Sequence, residues 1–148
     1  MGLISTGDAP EVWAEVNPEF PDFEVLVQYL SPAAAKKISE AATSKQVNRK
    51  SRQVEDVTDN DKYARLMIKE MVRDWRGLQL GYLEQMVPLS EDSRKSIKKE
   101  GGEVPFSVED LEFLADNTYA RSFLDGVMEL SMDLEAMVRA QRMSAEKN

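Results

Sequence analysis

Val72-Arg73-Asp74-Trp75-Arg76-Gly77-Leu78 is the stretch on which the fold turns, and it continues an amphipathic run that begins near Asp59. Counted at about 100° per residue, Ala64, Ile68, Met71, Val72 and Trp75 share one arc of a helix surface. The spacing predicts a single helix over 59–75, capped by Asp59 or Asn60, with Trp75 anchoring its buried face. Gly77 supplies the left-handed residue at which such helices stop. Downstream, Val104-Pro105-Phe106-Ser107-Val108-Glu109-Asp110-Leu111 reads as the opening of another helix. Ser107 is its N-cap, Asp110 stands three residues on as a shortened capping box, and Phe106 with Leu111 forms a hydrophobic staple. Trp75, Gly77, Phe106 and Ser107 are therefore read as structural anchors.

Other segments fill in around these two. Residues 23–30 alternate Phe23, Val25, Val27 and Tyr29 as a strand does, although Leu26 and Leu30 also permit a short helix. A strand or extended segment is favoured there. Ser31-Pro32 starts a helix that runs to about Ala42, with serine as N-cap and proline at the first helical position. Residues 44–58 read as a charged loop, 79–89 as a short helix and 90–102 as a mobile polar loop. The last helix spans 118–142, follows a cap at Asp116-Asn117, and buries Ala120, Phe123, Leu124, Val127, Leu130, Leu134 and Val138.

The fold expected from this is mainly α, a compact helical domain of four to five helices with a short N-terminal strand or extended segment. Pro10, Pro18 and Pro21 make 1–22 an extended, partly mobile lead-in, 23–142 the single helical domain and 143–148 a disordered tail.

Composition narrows the function. The 148 residues carry a net charge of −8 and are 31% charged and 42% hydrophobic. A pI near 4.7 disfavours nucleic acid as a partner, because phosphate contacts call for a basic surface. Six basic residues do gather between Lys36 and Arg52, but four acids at 55–61 follow them at once. There is no cysteine and no histidine, so disulfides, thiolate chemistry and the usual general base are absent. No apolar run is long enough for a membrane helix. The Met1-Gly2 to Thr6 match to a myristoylation pattern is short and lacks a basic follow-up.

No phosphate-binding glycine loop, nucleophile elbow, zinc spacing or calcium loop is present. Acid pairs such as Glu129 and Asp133 read as a solvated helix face. The expectation is a protein that is not an enzyme, with no catalytic, cofactor-binding or metal-ligating residue and no cofactor.

The eight methionines point instead to binding, since methionine recurs on surfaces that accept varied apolar partners. Met67, Met71, Met86 and Met137 read as core filling. Met132 and Met143 lie off the core face of the last helix and Met128 lies on its flank. These three, with Trp13 and Phe20 of the lead-in, are the candidate partner-binding residues.

In order along the chain, Val12-Trp13, Pro18, residues 25–30, Ser31-Pro32, the block ending Trp75-Arg76-Gly77 and the Pro105-Phe106-Ser107 helix start resemble the tail assembly chaperones of long-tailed bacteriophages and prophages. The resemblance covers about residues 12–135 and is specific at the last two blocks. It implies a small acidic helical protein of the bacterial host cytoplasm that self-associates and coats the tape measure protein. It also implies help in recruiting tail tube subunits, and absence from the mature virion. The alternative is a structural neck or tail-completion protein retained in the virion. A small metal-dependent hydrolase using acidic residues is a third reading.

Overall fold

The computed structural model describes residues 2–147 except 6, 8 and 118–120. The expected helical bundle is corrected to an α+β fold with five strands in two antiparallel sheets among the described residues. The first sheet joins β1 (Glu11–Glu15), β2 (Glu24–Gln28) and β5 (Val72–Arg76) in the order β1-β2-β5. The second is a hairpin of β3 (Thr43–Val47) and β4 (Val54–Thr58).

The main correction falls on 72–76. The helix expected over 59–75 ends at Met71 as α2 (Asn60–Met71), and the chain turns directly into β5. Val72 and Trp75 are both buried although they sit three residues apart, which in a regular strand would put them on opposite faces. A bulge reconciles this. Val27 pairs with Val72 and Leu26 with Asp74, so Arg73 is the extra residue. A bulged strand and a helix both bring positions i and i+3 to one side, and the spacing alone does not separate them.

One face of the sheet carries Val12, Ala14, Val25, Val27, Val72 and Trp75, all buried. Against it lie α2 and α6 (Arg121–Lys147), and α5 (Val108–Asn117) packs on α2. Met67, Ile68 and Met71 come from α2, Leu111, Leu114 and Ala115 from α5, and Phe123, Leu124, Val127 and Leu134 from α6. Phe23 and Phe123 stack across this core with interplanar angle 7° and centroids 6.3 Å apart. Arg65 ties two helices together: it pairs with Asp61 at 2.8 Å within α2 and donates to the Ala115 carbonyl of α5.

Several starts fall where the caps placed them. The Ser31 hydroxyl accepts from the Ala34 amide at the head of α1 (Pro32–Ala42), and Asp59 accepts from Lys62 at the head of α2. Ser107 accepts from Asp110 at the head of α5. A short helix, α3 (Leu80–Met86), lies within 79–89.

Other expectations are corrected. In place of the mobile loop expected over 90–102, residues 91–99 form α4 (Glu91–Lys99), capped by Ser90 and stopped by Gly101 and Gly102 at φ 97° and 84°. The charged stretch 44–58 is mostly hairpin. The lead-in contributes β1 and the buried Val12, Val16 and Phe20 to the core. Helix α6 continues to Lys147, through most of the expected tail. The expected start of that helix at Thr118, its buried Ala120, and the Met1 and Thr6 ends of the myristoylation pattern lie outside the described residues.

Candidate functional site

The two blocks singled out in the sequence meet in space. The Trp75 indole N–H donates to the Val104 carbonyl at 2.9 Å, and its ring meets Phe106 edge-on with centroids 4.9 Å apart. Alongside, the Val104 amide donates to Leu78 at 2.9 Å and the Gly77 amide to the Glu103 carboxylate at 3.0 Å. Gly77 does not end a helix. It follows β5 at φ 75°, and a Cβ there would stand 2.0 Å from the Asp22 carbonyl oxygen, so glycine is required for both reasons. The four anchors thus hold the joint between β5 and the approach to α5.

Beside this joint opens a groove of about 400 Å³ between α4 and α5. Its floor includes Trp75, Leu78, Ile97, Val104 and Leu114, and its walls carry Asp92, Ser96, Asp110 and Phe113. Phe113 is 48% exposed, an unusual position for a phenylalanine flanked by buried Leu111 and Leu114. The sequence reading missed this groove. The one available signal was Phe113 standing off the Leu111–Leu114 stripe.

The candidate binding residues divide by location. On α6, Met128 is half-buried against the core, while Met132 and Met143 are 83% and 54% exposed. Because α6 is continuous, these three lie within an arc of about 60° and along about 22 Å of one helix side. Phe20 is buried and packs on Tyr82 with centroids 4.9 Å apart, so it offers no free surface. Trp13 sits half-buried on the face of the sheet away from the helices, opposite Leu26. The Arg76 guanidinium lies 4.2 Å from its ring centroid and also pairs with Glu24 at 3.0 Å. Met67, Met71 and Met86 are buried and Met137 is half-buried.

Charge is unevenly spread. Helix α5 carries Glu109, Asp110, Glu112 and Asp116 and no basic residue, whereas the turn between β3 and β4 carries Arg49, Lys50 and Arg52 and no acid. Among the described residues no group of three or more histidine, cysteine or carboxylate side chains is placed to hold a metal ion. No helix among them is long and apolar enough to cross a membrane. Comparison with known protein families, curated proteins and solved structures gives no match.

Proposed function

We propose that this chain is a non-enzymatic assembly chaperone of a phage or prophage tail. It binds the tape measure protein, keeps it soluble and helps bring tail tube subunits to it. The observation that carries the reading is the methionine row of α6, with Met132 and Met143 exposed on an otherwise polar helix side. Thioether side chains adapt to varied apolar partners, and a net charge of −8 keeps a chain bearing such a patch in solution. The resemblance of the Trp75-Arg76-Gly77 and Pro105-Phe106-Ser107 blocks supplies the identity of the client. An elongated helical client presents repeated apolar faces, and several copies along it gain avidity without any strong single contact.

Such a chaperone acts in the bacterial host cytoplasm and leaves before the virion is complete. Co-expression with a phage tape measure protein tests the reading: the client should be soluble with this chain and aggregate without it. A client equally soluble alone would remove the proposal. Mass spectrometry of purified particles separates it from a neck or tail-completion role, in which the chain would be found at fixed copy number.

A further inference from the structure

The hairpin of β3 and β4 stands apart from the rest of the fold. Its strands form a sheet of their own, and every residue of β4 is exposed. A two-stranded hairpin with neither face covered is marginal in water. Yet its turn is firmly built. The Asn48 side chain accepts from the Lys50 and Ser51 amides at 2.9 and 3.3 Å and donates to Glu55 at 3.0 Å. The Arg52 amide closes the turn onto the Asn48 carbonyl at 2.7 Å. Beside this fixed turn, Val47 pairs with Val54 across the strands at 66% and 63% exposure. Two valines and three cations are thus held ready on a projection about 16 Å long.

The α4–α5 groove has the matching character. Its floor is apolar around Trp75, Ile97 and Leu114, and the carboxylates of Asp92 and Asp110 line its two walls. Among the described residues, neither these two carboxylates nor Arg49, Lys50 and Arg52 take part in an ion pair within the chain. No hairpin residue lines the groove.

We propose that the hairpin of one copy seats in the α4–α5 groove of a second copy of this chain. Val47 and Val54 cover the apolar floor, and the turn cations face Asp92 and Asp110. The contact joins two different surfaces, so each added copy leaves one hairpin and one groove free, and the assembly grows head to tail or closes as a ring. This holds whatever client the assembly binds.

Sedimentation of the full chain over a range of concentration and salt tests it. The mass should rise with concentration and fall with added salt, because the ion pairs at the rim are screened. V47D/V54D disables the hairpin and S96R blocks the groove, and each should weaken assembly about tenfold or more. If S96R disturbs α4, F113D blocks the groove from its other wall. Circular dichroism establishes that each variant is folded. Mixing V47D/V54D with S96R should give a one-to-one dimer and nothing larger, since one good hairpin and one good groove remain. A wild-type chain monomeric at every concentration, a folded variant that assembles as wild type does, or a mixture that fails to pair would each overturn the proposal.

Discussion

Replacing Gly126 by alanine probes the contact on which the packing of α6 depends. An alanine Cβ at this position would stand 2.5 Å from the Val16 carbonyl oxygen and 2.7 Å from Val16 Cγ1. Two effects compete. Alanine is favoured over glycine inside a helix by about 1 kcal/mol. Against it, the obstacle is a backbone carbonyl where the chain leaves β1, between buried Val16 and buried Asn17. Asn17 in turn holds the Glu19 amide at 2.9 Å, so the carbonyl cannot step aside without moving the connection to β2. Overpacking of this kind costs about 1–3 kcal/mol, and a contact this short belongs in the upper half of that range. The net expectation is a loss of about 1–2 kcal/mol, or roughly 2–8 °C in Tm for a domain of this size. Gly81 is the control. It lies in α3 with nothing within 4 Å of its Cβ position, and Gly81→Ala should gain about 0.5 kcal/mol. Urea unfolding followed by circular dichroism, with equal slopes for the three proteins, reads both. A Gly126→Ala protein as stable as wild type, or more so, would refute the close approach of α6 to Val16.

Gly77→Ala should cost more than any other change considered, about 3 kcal/mol or above, because φ 75° and the 2.0 Å approach to Asp22 both exclude a side chain. Soluble yield and thermal unfolding measure it. Trp75→Phe removes the indole donor and leaves the Val104 carbonyl without it, for a loss of about 1–3 kcal/mol in the same urea assay. Met132→Asp with Met143→Asp should change stability by no more than about 0.5 kcal/mol, since both side chains are exposed. Under the proposed function, the same double variant should fail to keep a tape measure protein soluble on co-expression.

What could be read from the sequence follows from where the signals are local. The hydroxyl and carboxylate caps at Ser31, Asp59 and Ser107 need only their own few residues, and they form as expected. The buried stripe of α6 is long enough to set its own period, and Phe123, Leu124, Val127 and Leu134 are in the core. Val72 and Trp75 misled because a bulge reproduces helical spacing in a strand, and only the partners Val25 and Val27 decide between the two. The hairpin was missed for a different reason. Both its faces are solvated, so no alternation marks its strands, and its turn relies on Asn48 rather than on a glycine. Helix α4 buries no residue and so shows little apolar stripe, although Ser90, the acids at 91–92 and the lysines at 98–99 form a complete set of end signals. At the candidate surfaces, the exposure of Met132 and Met143 was legible from the wheel alone. The groove was not, because its lining is gathered from residues 75 to 114 and exists only once β5, α4 and α5 are in place.

The outer side of α6 is the client surface that the proposed function requires. Hydrogen exchange of the chain, alone and bound to a soluble segment of the tape measure protein, addresses it directly. The predicted result is added protection along α6 between Met128 and Met143, lost in the M132D/M143D protein. Protection confined to other elements, or a footprint on α6 unchanged by that double substitution, would contradict it.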